Sequence, residues 1–407
     1  MSRTSAIICE FNPFHTGHKR LIDFARTGGS DFVICIMSGN FVQRGEPAVA
    51  DKYTRARTAL LSGADLVLEL PMPFSSASAE YFAKAGVEIA DKLGFVDELI
   101  FGSELGDIEA LTQIAKNQMA PEFLSLFAQI YTGGNGYAMS SQTAYEELFG
   151  KEDAISSPNN ILAIEYIKAI LKSKSKILPK TIGRENNFSS STLSGKYPSA
   201  TALREFILGG KMKKIKKYVS SPVYDALVEA DKNGRVLTDM DRFGFALLSA
   251  MRLADPDAVA GCEGVSGGLE NRIISAACSA RTYEEFVSLV ATKKYTDARL
   301  RRAVLFATLG ITPLDMDIEI PYVILLGATE KGRTLLSRLR QNENVGIMTK
   351  ISDKKAYIGE LEGERRDAAR RIFDIEMKAD SLYTLCFEQV KEASFFGKMS
   401  PVFEDGK

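Results

Sequence analysis

The sequence lacks several features that often assign a function at once. The apolar run near its N-terminus is too short for a signal peptide or a membrane span, so we expect no membrane partner and a cytoplasmic location. Its net charge is only −1, which argues against a protein coated with basic residues but allows local basic patches. No CxxC pair occurs, which favours reduced thiols over a structural zinc site for the five cysteines, Cys9, Cys35, Cys262, Cys278 and Cys386.

Two motifs of nucleotide-binding proteins are also absent. There is no GxxxxGK followed by Ser or Thr, and no GxGxxG follows the first apolar run, so neither a P-loop NTPase nor a dinucleotide dehydrogenase is supported.

The length of 407 residues exceeds one ordinary domain, and 45% apolar with 25% charged residues is typical of a globular protein. We therefore expect two or three domains with a sizeable core.

Residues 10–18, EFNPFHTGH, bring together several side chains suited to binding or catalysis. They include the only two histidines of the chain, His15 and His18. An apolar run precedes this stretch and a helical pattern follows it, so it reads as a turn between a buried strand and a helix N-terminus. Unpaired N–H groups and the helix dipole favour phosphate there. The imidazoles can donate to phosphoryl oxygens, Pro13 suits a turn, and Gly17 would let a ligand approach the backbone. The alternative is two surface histidines on a loop.

The first hundred residues alternate between strand and helix patterns. Apolar runs at 6–9, 32–37, 66–70 and 98–101 are typical of strands buried on both faces, and helical patterns cover 18–26, 51–62 and 75–93. This order predicts an α/β fold with a doubly wound parallel sheet. Ligands of such sheets bind beyond the carboxyl ends of the strands, where the loops 10–18, 38–47, 71–74 and 102–104 would converge.

The remaining chain divides into an insertion, the end of the sheet and a helical part. Residues 106–157 are predicted to form a helical insertion with a flexible Gly-rich loop at 131–137. A helix at 159–172, a last strand at 176–182, a polar loop to 198 and a helix at 200–208 capped by Ser199 complete the first domain. After residue 211 strand patterns largely stop. We expect an ATP-binding domain over 1–210 and a mainly α-helical domain over 211–407 whose final dozen residues are loose.

Several motifs together resemble a known family. The HxGH pattern of residues 15–18 resembles the signature of the nucleotidyltransferase superfamily, whose members act at the α-phosphate of ATP. Residues 10–18, 37–47, 101–104, 157–161 and 199–204 more specifically resemble the tRNA(Met) cytidine acetate ligases. The match is specific over the first half of the chain and looser over the second. Pro198 and Ala200 depart from the superfamily's usual ISSTxxR ending, while Thr201 and Arg204 remain in place.

The resemblance implies a fold, a reaction and partners. The first domain would be a Rossmann-like, HUP-type nucleotidyltransferase domain that binds ATP with Mg²⁺, and the helical domain would bind tRNA. The enzyme would activate acetate as acetyl-adenylate. It would then acetylate the exocyclic amine of the wobble cytidine of elongator tRNA(Met), giving N4-acetylcytidine.

The resemblance also implies site residues. His15, His18, Thr201 and Arg204 would be catalytic, with the last two contacting the β- and γ-phosphates. Further nucleotide contacts would be Ile8, Cys9, Glu10, Phe11, Asn12, Pro13, Phe14, Thr16, Gly17, Lys19, Arg20, Leu21, Gly102, Asn159, Asn160 and Arg184.

The residue types leave some of these assignments open. Arg204 could be a solvated helix residue, and Asn159 or Asn160 could cap a helix. Glu10 could contact the nucleotide or support the structure. Arg44 could hold acetate, pyrophosphate or tRNA, or join a local ion pair.

Basic clusters at 211–217, 293–302 and 363–371 are candidates for contacts with RNA phosphates. The third alternates with acids and reads as a solvated helix face. From the first two we select Lys214, Lys217, Lys293, Lys294, Arg299 and Arg302, and Tyr295 could stack a base. The alternative is that these runs are ordinary surface.

Two other functions compete with the acetate ligase. A small-molecule cofactor adenylyltransferase would use the same HxGH turn but would not need a helical half with basic clusters. A non-catalytic tRNA- or ribosome-binding protein could keep a regulatory nucleotide site, although the intact His15, His18, Thr201 and Arg204 argue against it. The pattern itself predicts adenylation with ATP, whereas acetate, cytidine and tRNA(Met) come only from the resemblance.

Overall fold

A computed structural model describes residues 2–132, 137–184, 199–291 and 295–404 of the chain. Its ten strands are β1 Thr4–Cys9, β2 Phe32–Ser38, β3 Phe41–Val42, β4 Glu46–Pro47, β5 Leu66–Leu70, β6 Glu98–Ser103, β7 Leu178–Gly183, β8 Tyr322–Thr329, β9 Gly346–Met348 and β10 Val402–Glu404. The helices in the first half of the chain are α1 Thr16–Thr27, α2 Lys52–Leu60, α3 Ala79–Lys92, α4 Ile108–Met119, α5 Pro121–Thr132, α6 Tyr137–Phe149, α7 Pro158–Ser173 and α8 Ala200–Leu208. Those that follow are α9 Ser221–Lys232, α10 Asp241–Arg252, α11 Pro256–Ala260, α12 Leu269–Ser279, α13 Tyr283–Val290, α14 Asp297–Leu309, α15 Glu330–Arg340, α16 Ile351–Glu360 and α17 Gly363–Leu385.

Five parallel strands form the centre of the sheet in the order β5-β2-β1-β6-β7. Every residue of β1 and β5 is buried, as expected for strands covered by helices on both faces. The chain moves outward from β1 in one direction through β2 and β5, and in the other through β6 and β7. The predicted doubly wound parallel sheet is confirmed, and the reversal of strand order lies beside β1.

The second half of the chain also contributes to this sheet. Strand β8 pairs antiparallel with β5, and both β9 and β10 pair parallel with β8, which makes eight strands in all. The expectation that strands largely stop after residue 211 is therefore wrong at β8, and the final dozen residues are not all loose, because β10 belongs to the sheet. Strand β8 is buried along most of its length, so it shows no alternation that would distinguish it from a buried helix.

The helical region after residue 211 packs against the first part of the chain. Leu237 N–H donates to Val49 O at 2.8 Å, and the guanidinium of Arg235 forms two hydrogen bonds with the carboxylate of Asp51 at 2.6 and 3.0 Å. One apolar core runs through both parts. The domain boundary at 210 remains a prediction.

Further observations concern the insertion, the cysteines and membrane-spanning helices. Three helices, α4 to α6, occupy the predicted insertion, although residues 133–136 of its Gly-rich loop and residues 185–198 of the polar loop lie outside the described residues. The five cysteines form no disulfide. Among the helices that the structure describes, none combines the length and the apolar character that crossing a bilayer demands.

Candidate active site

A cavity of about 260 Å³ opens at the carboxyl end of β1, where the strand order reverses. It is lined by the turn after β1, the loop after β3, the ends of β6 and β7, and the N-terminal parts of α7 and α8. Three of the four loops expected to converge contribute to it. The fourth, residues 71–74, does not line this cavity.

The two histidines hold each other and the start of α1 in place. His15 is the N-cap residue, and its Nδ1 accepts a hydrogen bond from Gly17 N–H at 3.0 Å. Nδ1 of His18 accepts from His15 N–H at 3.3 Å, and the two rings stack with centroids 3.8 Å apart. Because Nδ1 is an acceptor in both rings, a neutral imidazole must carry its proton on Nε2. The backbone therefore selects one tautomer for each ring.

Both imidazoles are neutral at neutral pH. Burial, together with the charges of Arg184 and Arg204, lowers the pKa of His15 to about 3. Burial likewise lowers the pKa of His18 well below its usual value, with contributions from His15 and the same two arginines. These rings are suited to donate hydrogen bonds through Nε2–H and not to act as acids.

Gly17 is needed for the position of the His15 ring. A β-carbon at residue 17 would lie 2.8 Å from Cε1 and 3.0 Å from Nδ1 of His15, closer than real side chains come. We expected this glycine to admit a ligand to the backbone. The described contacts add a second reason for glycine here, which is to leave room for the capping imidazole, and the approach of a ligand remains a prediction.

Several arginines line the cavity. Arg204 Nη1 donates to Asn12 O and Nη2 donates to Thr201 Oγ1, both at 2.9 Å, so this guanidinium joins α8 to the turn after β1. Arg44 and Arg184 also line the cavity. Burial lowers the pKa of Arg204, and the nearby charge of Arg44 lowers it further. Repulsion among these cations would be relieved by a bound anion.

The loop that carries Arg44 is fixed on both sides. Glu10 Oε1 accepts from Gln43 N–H at 2.8 Å, which gives Glu10 a supporting contact between β1 and this loop. Arg302 Nη1 donates to Gln43 O at 3.2 Å, and Arg301 forms an ion pair with Glu46. Gly45 has a φ of +74°, and its β-carbon would lie 2.6 Å from Arg302 N. Helix α14 therefore packs directly against the Arg44 loop, residues 43–46.

Glu104, which sequence reasoning did not select, caps the start of α7. Its carboxylate accepts from Asn160 N–H at 2.8 Å and from Asn159 Nδ2 at 2.5 Å. Asn160 Oδ1 in turn accepts from Leu105 N–H at 3.0 Å. Asn159 lines the cavity, whereas Asn160 is buried outside its lining.

Most of the other predicted nucleotide contacts lie on the cavity. Those that line it are Ile8, Cys9, Glu10, Phe11, Asn12, His15, Gly17, His18, Arg20, Leu21, Gly102, Asn159 and Arg184. Those that do not line it are Pro13, Phe14, Thr16, Lys19 and Asn160. Lys19 instead forms an ion pair with Asp23 one helical turn away. Asn12 also supports the turn, because its Oδ1 accepts from Val49 N–H at 2.9 Å.

Sequence reasoning missed the buried Arg55 of α2. Its Nε donates to Ala50 O at 2.9 Å and its Nη1 to Glu10 O at 2.6 Å and Ser38 O at 3.1 Å, while Nη2 donates to Gly39 O. One guanidinium thus fixes the ends of β1 and β2 beside the cavity. The only local signal is an arginine four residues after a helix-capping aspartate, Asp51, and surface helices share that pattern.

The candidate RNA contacts have varied surroundings. Nζ of Lys214 lies 5.1 Å from the Phe206 ring centroid, and Nζ of Lys217 lies 4.8 Å from that of Tyr218. The guanidinium carbon of Arg299 lies 4.2 Å from the Tyr295 ring centroid. Burial and the nearby charge of Arg299 together lower the pKa of Arg302 to about 10. Its described hydrogen bond to Gln43 O supports the Arg44 loop. Lys293 and Lys294 lie outside the described residues.

Comparison with known proteins extends the likeness to the whole chain. A family model described as HIGH Nucleotidyl Transferase matches residues 2–395. The tRNA(Met) cytidine acetate ligase of Acetivibrio thermocellus is 36% identical, over 94% of this chain and 94% of its own length. The ligase of that name from Caldanaerobacter subterraneus subsp. tengcongensis is 33% identical, over 96% and 97%.

Solved structures agree with these sequence relatives. A crystal structure of Thermotoga maritima TmcAL in an apo form matches with a TM-score of 0.93 and 30% identity, covering 99% of this chain and 100% of the other. A second form, bound with alpha-thio ATP, matches with a TM-score of 0.91 at the same identity and coverage. The similarity therefore includes the second half, where the sequence motifs were looser.

Proposed function

This chain belongs to the tRNA(Met) cytidine acetate ligases of the HIGH nucleotidyltransferase family, and on that premise we propose that it acetylates a tRNA cytidine with ATP and acetate. The observation that carries the proposal is a single cavity in which two neutral imidazoles and the guanidiniums of Arg44, Arg184 and Arg204 converge at a helix N-terminus. Such a site suits a triphosphate.

The first step is formation of acetyl-adenylate. A carboxylate oxygen of acetate attacks the α-phosphorus of ATP in line, and the bond to the bridging oxygen breaks with release of pyrophosphate. The Nε2–H groups of His15 and His18 donate to phosphate oxygens as their charge changes. Because both rings are held neutral and in the donor tautomer, this stabilisation needs no proton transfer.

The β- and γ-phosphates are assigned to the start of α8. Thr201 and Arg204 lie near this helix N-terminus, and Arg204 is held by its hydrogen bond to Asn12 O in the turn after β1. A planar guanidinium can add bidentate contacts to phosphate. We assign Arg184 and Asn159, which line the same cavity, to further contacts with ATP.

The second step transfers the acetyl group to RNA. The exocyclic amine of the wobble cytidine of elongator tRNA(Met) attacks the acetyl carbon, AMP leaves with the electrons of the broken C–O bond, and the amine loses one proton. Lys214, Lys217 and Arg299 are the described candidates for phosphate contacts, and binding should weaken as salt rises. ATP and tRNA occur together in the cytoplasm, where we expect the enzyme to act.

Magnesium is included in the proposal as the partner of ATP. Among the described residues, no group of three or more His, Cys, Asp or Glu side chains could hold a metal ion. Triphosphate oxygens and water would therefore supply most ligands of Mg²⁺, as is common for this ion. Its contribution would be to neutralise phosphate charge.

The test combines ATP–pyrophosphate exchange with transfer of radiolabelled acetate. Acetate-dependent exchange, and label in an elongator tRNA(Met) transcript but not in one with uridine at the wobble position, are expected for the wild type. His18→Ala should lose both, whereas the exposed-site control Lys355→Ala should keep both. Exchange driven by a mononucleotide or a pantetheine phosphate instead of acetate would support a cofactor adenylyltransferase. Retained tRNA binding without any exchange would support a non-catalytic binder.

A further inference from the structure

The hydroxyl of Tyr166 is a buried polar group with no described partner. Tyr166 lies on α7, lines the active-site cavity and is 2% exposed. Its Oη has no hydrogen-bond partner among the residues that the structure describes. Buried tyrosine hydroxyls usually have a partner, and one that borders a ligand cavity can find it in the ligand.

Apolar side chains surround this tyrosine. The cavity lining beside it includes Ile8 at the end of β1, Phe82 of α3 and Phe101 of β6, whose ring centroid lies 5.4 Å from that of Tyr166. Helix α3 packs closely on β1, since a β-carbon at Gly86 would lie 2.5 Å from Ile8 Cδ1. This end of the cavity therefore suits a small apolar group.

No arginine is a hydrogen-bond partner of this hydroxyl in the part of the chain that the structure describes. The carboxylate of Glu10 acts on it, whereas the guanidiniums of Arg184 and Arg204 act on the histidines. Burial raises the pKa of Tyr166, so the hydroxyl stays protonated and can donate a hydrogen bond. A ligand with a short apolar part and one oxygen acceptor would satisfy this end.

Resting on the proposed function, we infer that Tyr166 and this apolar end form the acetate subsite. The methyl group would pack on Ile8 and Phe82, and Tyr166 O–H would donate to the carboxylate oxygen that does not attack phosphorus. That oxygen becomes the carbonyl oxygen of acetyl-adenylate. When the cytidine amine attacks the acetyl carbon, negative charge grows on the same oxygen, so the same hydrogen bond also stabilises the second step.

The test is Tyr166→Phe, which removes the hydroxyl and keeps the ring. Tyr283→Phe is the matched control, because Tyr283 is also buried with an unpartnered hydroxyl among the described residues but lies on α13, outside this cavity. In Tyr166→Phe we expect the KM for acetate in ATP–pyrophosphate exchange to rise about 10- to 100-fold, as for loss of a hydrogen bond to a charged group. The Kd for ATP and the melting temperature should stay near those of the wild type.

A binding measurement separates this role from a structural one. Calorimetry would compare AMP with 5′-O-(N-acetylsulfamoyl)adenosine, a stable mimic of acetyl-adenylate, and the preference for the acetylated compound should shrink about tenfold or more in Tyr166→Phe only. An unchanged KM for acetate beside a weakened Kd for ATP would overturn the inference and assign the hydroxyl to the nucleotide. Equal losses in both tyrosine variants would also overturn it. If wild type itself shows no acetate-dependent exchange, the proposed function fails first, and the inference fails with it.

Discussion

The capping arrangement of the two histidines predicts an unusual pH titration. Lowering the pH from 7.5 to 5 should leave both imidazoles neutral with the proton on Nε2, because charging them in a buried site beside Arg184 and Arg204 is unfavourable. A charged ring would also lose its Nδ1 acceptor and with it the hydrogen bond from Gly17 or His15 N–H. The ordinary histidine would instead be mostly charged at pH 5.

The size of the effect follows from the pKa of His15. Below pH 6.5 the unfolded chain binds a proton at His15 that the folded chain does not bind until about pH 3. The free energy of unfolding should therefore fall as the pH decreases through this window, by about 3 kcal/mol at pH 4.5 from His15 alone. His18, whose pKa is also lowered, adds to the loss in the same direction.

Nuclear magnetic resonance can measure this directly, since the chain has only two histidines. Selective ¹⁵N-histidine labelling should show two rings with Nδ1 unprotonated and Nε2 protonated, and single substitutions assign them. A third histidine introduced at exposed Lys355 provides an internal reference that should titrate near pH 6.5. Titration of either native ring together with the reference, or a proton on Nδ1, would refute the capping argument.

Three other perturbations test parts of the site separately. Gly17→Ala should displace the His15 ring and lower kcat for ATP–pyrophosphate exchange about 100-fold. The free energy of unfolding in urea should change by less than about 1 kcal/mol, because alanine favours a helix. A normal kcat would contradict the steric argument. The lysine side chain in Arg204→Lys cannot form both of the hydrogen bonds that Arg204 makes to Asn12 and Thr201. The Kd for ATP, measured by calorimetry, should therefore rise about tenfold or more. An unchanged Kd would refute the bridging role. In the double variant Lys214→Ala, Lys217→Ala, the slope of the logarithm of the tRNA association constant against the logarithm of the salt concentration should become shallower by about 1.4. ATP–pyrophosphate exchange should be unaffected. An unchanged slope would show that neither lysine contacts tRNA phosphates.

The features predicted well from sequence are those whose signal is local. Strands β1, β2, β5 and β6 are short runs rich in Ile, Val and Leu, and the structure places them within two residues of the predicted bounds. The helix at Ala200–Leu208 and its Ser199 cap are as predicted, because Ser199 accepts from Ala202 N–H at 3.2 Å. The histidine turn was found because a strand, a turn and a helix follow one another within one stretch.

The features that were missed depend on contacts between distant segments. Strand β8 pairs with β5 although more than 250 residues separate them, and its uniform burial removes the alternation that marks a strand. Arg55 looks like a surface helix residue until β1 and β2 bring their carbonyl groups around it. Tyr166 lies in a helix rich in apolar residues, so nothing local distinguishes a tyrosine that lines the cavity from one in the core.

Contacts between the two parts of the chain meet at the active site. Arg302 of α14 supports Gln43 in the loop that carries Arg44, and Lys52 at the start of α2 is buried between Glu69 of β5 at 3.0 Å and Asp380 of α17 at 2.9 Å. A buried ammonium is stable only while both carboxylates remain in place, so this cluster holds α17 against the sheet. Arg299, a candidate RNA contact, lies one helical turn from Arg302. If α14 contacts RNA as proposed, the position of bound tRNA would be coupled to the geometry of the Arg44 loop, because α14 packs directly on that loop.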